Sequence, residues 1–189
     1  MMHARHAMPR TLRLLALAAV LAAPCAALAD EQADVIQLMR SGRHAQALAQ
    51  AEQYLATKPR DPRMRFLKGV AQTELGRSAD AIATFTQLTE DFPELPEPYN
   101  NLAVLYAAQS QFDKARAALE SAVRTNPGYA IAHENLGDVY ARLATQSYSR
   151  AQQLDPAGTT ASAKLALIRQ LLAITSKGAT PPAARAPGL

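Results

Sequence analysis

Residues 99–127 read YNNLAVLYAAQSQFDKARAALESAVRTNP, and the pattern inside this stretch decides the architecture. Large side chains stand at Tyr99, Leu102, Tyr106 and Leu119, small ones at Ala103, Ala115 and Ala122, and Pro127 closes the segment. Steps of three and four residues gather these side chains on one stripe of an α-helix. The frame recurs 34 residues upstream, with Ala81, Phe85 and Pro93, and again with Ala47 and Pro59; Gly42 and Gly76 share the same step. A 34-residue period of two short helical segments is a helix-turn-helix unit. It cannot cover its own apolar face and buries that face by stacking on copies of itself. Large residues opposite small ones let the paired backbones approach while the remaining gap is filled.

Counted so that the closing proline is the thirty-second residue, the units are residues 28–61, 62–95, 96–129 and a fourth beginning at Ala130. Asn101-Leu102-Ala103 and Asn135-Leu136-Gly137, followed by Tyr106 and Tyr140, carry the first-helix signature. From about Val35 to Pro156 the chain thus resembles the tetratricopeptide repeat (TPR). The resemblance implies an all-α, right-handed superhelix of stacked helix pairs with a C-terminal capping helix. The expected organisation is a leader over 1–29, a partial first repeat over 30–61, full repeats over 62–95 and 96–129, a degenerate repeat over 130–156, a capping helix over 157–176 and a disordered tail over 177–189.

Departures from the frame carry their own expectations. In the second unit Arg65, Lys68 and Gln72 stand where large apolar residues are usual, so a slightly rotated first helix is expected, with burial carried by Phe66, Leu67 and Val70. The first unit shows only its second-helix half in good order, from Gly42 through Ala47, Tyr54, Leu55 and Pro59, and is expected to cap the stack. The fourth unit is five residues short between Gly137 and Pro156. Loss of the turn predicts one long helix over Ala130 to Asp155. A closing helix is expected over Thr160 to Thr175, presenting Leu165, Ile168, Leu171 and Leu172 on one side, with Gly178 just past its end. Asp61-Pro62 and Ser78 are expected to start helices, and Gly42 and Gly76 to turn between paired helices at positive φ.

Arg5, Arg10 and Arg13 precede or open an apolar run from Leu12 to Ala23, followed by small residues to Ala29: the layout of a secretory signal peptide. Cleavage after Ala29 and a periplasmic location are expected. The alternative is an outer-membrane lipoprotein joined to lipid at Cys25, against which Pro24 argues, and only in that case is a membrane contact expected. Removing those arginines from the 20 basic residues leaves 17 against 16 acidic ones. So balanced a surface, without basic runs, excludes nucleic acid as the expected partner. The mature chain would hold no cysteine, hence neither a disulfide nor a thiol nucleophile.

The resemblance implies that the first helices line a concave groove holding an extended peptide or a partner helix. Carried onto this sequence, its lining positions include Arg63, Phe66 and Val70, then Glu97, Asn100 and Val104, then Glu134, Asp138 and Arg142. Asn100 is expected to hydrogen-bond a peptide backbone, and Phe66, Val70 and Val104 to hold an apolar side chain. With Glu97, Glu134 and Asp138 present, a basic or neutral ligand fits better than an anionic terminus. His44 and His133 have no partners at metal-ligand spacing, and no nucleophile motif, phosphate loop or carboxylate pair points to catalysis or a cofactor. The reading is a binding module: scaffold, adaptor or assembly factor for an envelope protein. Its rival is a self-associating or lipid-anchored component of a pilus, secretion or peptidoglycan machine, with a hydrolase a distant third.

Overall fold

The structure, a computed structural model, describes residues 31–178; the leader, Cys25 and the tail beyond 178 lie outside the described residues. Within them eight helices follow one another: α1 (31–40), α2 (His44–Thr57), α3 (Pro62–Glu74), α4 (Ser78–Asp91), α5 (Pro96–Ala108), α6 (Phe112–Thr125), α7 (Ala130–Leu154) and α8 (Thr159–Gly178). The described residues contain no strand. Pro59, Pro93 and Pro127 fall in the turns after α2, α4 and α6, where a residue lacking an N–H stops one helix before the next begins.

Each apolar cluster joins both helices of one unit to the first helix of the next. Val35 of α1 packs with Ala47, Leu48, Ala51 and Tyr54 of α2 and with Met64, Leu67 and Ala71 of α3. Phe66 and Val70 of α3 pack with Ala81, Phe85 and Leu88 of α4 and with Leu102 and Leu105 of α5. Ala103 of α5 packs with Ala115, Leu119 and Ala122 of α6 and with Ala132 and Val139 of α7. No unit closes its own core, so neighbours stabilise one another along the chain. Val35 is fully buried, and the first unit therefore has a first helix of its own within the described residues.

Size matching is visible where the paired helices cross. A Cβ placed on Gly69 would lie 2.7 Å from the Phe85 ring, which is fully buried. One unit later the corresponding pair is Ala103 and Leu119, a larger residue facing a smaller one. The turns share a conformation too: Gly42 and Gly76 have φ of 72° and 71°, and Ser110, 34 residues after Gly76, holds the same left-handed turn at φ 59°. Asp61 caps α3 by accepting from Met64 N at 2.9 Å, and its carboxylate also accepts from Tyr54 Oη at 2.8 Å and Gln32 Nε2 at 2.9 Å. A single side chain thus ties α1, α2 and α3 together. Ser78, in contrast, is the first residue of α4 rather than its cap; Arg77 precedes it without a capping side chain and pairs with Asp80 at 2.7 Å.

In α3 burial is carried by Phe66, Leu67 and Val70 as expected, with Met64, Gly69 and Ala71; most of the residues one period later are buried in α5, but Val104 is half-buried where Val70 is buried, and Lys68 half-buried where Leu102 is buried. One expectation about side-chain phase needs correction. In α8, Leu165 is buried and Ile168 and Leu172 are half-buried, but Leu171 is exposed together with Leu167. Those two leucines sit one turn apart, on the side away from Leu165. The helix α7 is continuous for 25 residues; Val139 is buried near its middle and Leu154 exposed at its end.

Candidate functional site

The first helices α3, α5 and α7 lie in successive units, and a hydrogen bond links two of them directly. Asn135 Nδ2 of α7 donates to Asn100 Oδ1 of α5 at 2.8 Å. Asn101 donates through Nδ2 to the Glu97 carbonyl, 2.9 Å away in its own helix. Asn100 and Asn101 are 5% and 4% exposed, so both amides are spent inside the stack. A bond between units made by short side chains holds α5 and α7 in register and so fixes how the flanking residues present themselves.

Asn100 therefore does not face a ligand: it is buried and turned toward the next unit. Phe66 and Val70 are likewise withdrawn, at 9% and 3% exposure, because neighbouring first helices pack side by side and cover these flanks with Leu102 and Leu105 of α5 and Met39 of α1. What stays accessible is Arg63, Glu134 and Arg142, which are exposed, and Val104, Glu97 and Asp138, which are half-buried. Glu97 and Val104 stand on α5 and Glu134, Asp138 and Arg142 on α7, while Arg63 stands one unit earlier on α3.

The electrostatics of the α5 and α7 residues are acidic. Burial, and next the neighbouring Glu134 carboxylate, push the Asp138 carboxyl above the usual carboxylate range, with Arg142 opposing them. Burial, and next the charge of Glu97, push the Tyr129 phenol up to about 12. Its hydroxyl is buried and has no hydrogen-bond partner among the described residues. Negative potential in a partly desolvated setting favours a cationic or neutral visitor over an anionic one. Sequence reasoning passed over Tyr129, which looks like any packing tyrosine until the fold sets it beside Glu97.

Nothing in this arrangement recommends a metal or a nucleophile. Among the described residues no group of three His, Cys, Asp or Glu is placed to hold an ion. His133 Nε2 lies 3.0 Å from the Pro127 carbonyl, which suits a residue bracing the turn before α7. No described helix is long and apolar enough to cross a membrane.

Known proteins share this fold. The family described as "Tetratricopeptide repeat" matches residues 35–96 and 100–159. The chain is 37% identical over 71 residues to the tetratricopeptide repeat domain-containing protein PYG7, chloroplastic, of Arabidopsis thaliana, a match covering 35% of this chain and 24% of that protein. It thus spans about a quarter of the length of that relative. Among solved structures it is similar to TTC0263, a thermophilic TPR protein of Thermus thermophilus, with TM-score 0.58, 25% identity, and 76% and 81% of the two chains covered. It is also similar to the first TPR domain of human RPAP3, with TM-score 0.59, 15% identity, and 63% and 94% covered, a likeness of fold alone.

Proposed function

The chain belongs to the tetratricopeptide repeat family, whose members are in general non-enzymatic scaffolds for protein–protein interaction, and from that premise we propose that it holds a basic or neutral segment of a partner protein along the first helices of its third and fourth units. The observation that supports this reading is the Asn100–Asn135 bond, which ties α5, the helix of Glu97 and the half-buried Val104, to α7, the helix of Glu134 and Asp138. An extended segment lying there would place apolar side chains near Val104 and cationic ones near the three carboxylates. Arg142, next to Asp138, keeps the acidic patch from being uniform and gives a bound chain a direction.

The apolar run from Leu12 to Ala23 behind Arg5 and Arg10 supports export, so the partner we propose is an envelope protein met in the periplasm, and the role that of adaptor or assembly factor. The role proposed for this face is recognition, through charge and shape.

Charge reversal tests the reading. In a peptide array of capped, extended nonapeptides, the chain should prefer those with lysine or arginine beside an apolar residue. The triple variant E97K/E134K/D138K should lose that preference by at least tenfold in affinity while keeping its helical circular dichroism. An unchanged preference would remove the acidic face from the proposal.

A further inference from the structure

Between α2, α3 and α4 the stack contains a cleft of about 490 Å³, lined by Leu55, Pro59, Arg60, Arg65, Lys68, Thr84, Gln87, Glu90 and Asp91. None of these is an inner-face residue, so the cleft is separate from the surface proposed above. Two of its lining residues, Arg65 and Lys68, belong to a polar break in the repeat frame. Tyr99, Leu102 and Tyr106 of the third unit become Arg65, Lys68 and Gln72 in the second, each 34 residues earlier. Gln72 is nearly fully buried and accepts from Thr84 Oγ1 at 2.7 Å; the Arg65 side chain is 12% exposed. The second unit is internal, with helices on both sides, so polarity here does not serve as a soluble end cap. Internal breaks in an otherwise consistent pattern fall at functional or strained sites, so this one points to a place to search for binding.

The chemistry of the cleft says what it takes. Arg65 Nη1 lies 2.6 Å from Asp91 Oδ2, its guanidinium 6.0 Å from the centre of the Phe92 ring, and Lys68 Nζ lies 3.2 Å from Glu52 Oε1. Asp91 is the last residue of α4 and its side chain is 45% exposed, so it can leave Arg65 with little disturbance. It shows where a carboxylate sits on this guanidinium, whose planar fork can take two oxygens side by side. We infer that the cleft binds one glutamate or aspartate side chain of a partner's extended segment, seated on Arg65 in exchange with Asp91 and on Lys68 in exchange with Glu52. Thr84 and Gln87 supply neutral hydrogen-bonding groups for the adjoining backbone. Glu90 and the released Asp91 then line the rim, so the residues flanking the bound acid are neutral or basic.

The test is an NMR titration of the full chain, reading arginine Nε–Hε and backbone amide signals, with acetyl-Gly-Glu-Lys-amide against acetyl-Gly-Gln-Lys-amide. The glutamate peptide should move the Arg65, Thr84 and Gln87 signals and bind at least ten times more tightly than the glutamine peptide. Asp91→Asn, which frees Arg65, should tighten binding severalfold. The triple variant R65Y/K68L/Q72Y, which restores the third unit's residues, should bind neither peptide, melt at a higher temperature and leave the Val104 and Glu134 signals in place; Arg65→Gln gives the same loss of binding if that variant does not fold. Equal binding of the two peptides, unweakened binding by Arg65→Gln, or no tightening by Asp91→Asn would overturn the inference. Inorganic phosphate reproducing the same shifts would also overturn it, reducing the cleft to a general anion site. These signals are distinct from those of the inner face, so either proposal can fail alone.

Discussion

In the third unit Tyr99, Leu102 and Tyr106 pack into the apolar clusters of the stack, whereas in the second Arg65, Lys68 and Gln72 occupy the same frame, and Arg65 and Lys68 line a cleft. The backbone tolerates both solutions because what holds the pair together lies elsewhere in the frame: Gly69 against Phe85 in one unit, Ala103 against Leu119 in the other. Burying one large apolar side chain contributes about 1.5–3 kcal/mol, and the Phe85–Phe66 ring contact at 5.6 Å adds to it. An exposed or half-exposed ion pair contributes about 0–1 kcal/mol. The second unit thus gives up apolar stabilisation at three positions and keeps its fold through the crossing point.

The largest predicted effect attacks that crossing point. Gly69→Ala should destabilise the protein by about 1–3 kcal/mol in urea unfolding, although the same change in an open helix gains up to about 1 kcal/mol, because the new methyl meets the Phe85 ring. Adding Phe85→Leu, which recreates the third unit's pair, should recover part of the loss, and a strictly additive double variant would contradict size matching. Gly137→Ala at the end of the stack should instead stabilise, by about 0.5–1 kcal/mol, since no atom lies within 4 Å of the added carbon.

Next comes the cap. Helix α3 starts at Asp61, but α5 starts after Leu95 with no capping side chain. Asp61→Ala should cost about 2 kcal/mol, as it removes a cap and also strands Tyr54 and Gln32. Hydrogen exchange should show α1 and α3 loosened together; loosening of α3 alone would mean that the carboxylate does not couple the helices.

A smaller effect separates the turns. Gly76→Ser should cost about 1 kcal/mol and Ser110→Gly should return a similar amount, because the two residues hold one left-handed conformation that a side chain disfavours. Thermal melts of the two variants moving in the same direction would refute this.

The smallest effect is at Asp138. Its carboxyl holds a proton more tightly in the folded chain than in the unfolded one. Its contribution therefore favours the fold at acidic pH and is lost as pH rises through the ordinary carboxylate range into its raised value. Asp138→Asn should be slightly more stable than the parent at pH 7, with the difference shrinking as pH falls below the ordinary carboxylate range and both side chains become neutral. A difference that persists in that acidic range would assign the effect to packing.

The period of the prolines and the alternation of large and small residues were enough to read the fold, because both features act within one unit and its nearest neighbour. The inner face was less legible. Whether Phe66 and Val70 are open or covered depends on how closely α1, α3 and α5 lie side by side, and whether Asn100 is depends on α7, distances set by neighbouring units together. Arg65, Lys68 and Gln72 were visible as departures, but a departure can be absorbed by turning the helix or by opening a cleft.

If the inner face of α5 and α7 is where a partner is held, site-specific photocrosslinking in native cells will reveal it. A photoreactive residue is placed at Val104 or Glu134 and, as control, at the exposed Gln152 near the end of α7. Val104 and Glu134 should capture the same discrete protein, and Gln152 should not. Equal labelling from all three positions would show that this face holds no partner in preference to the rest of the surface.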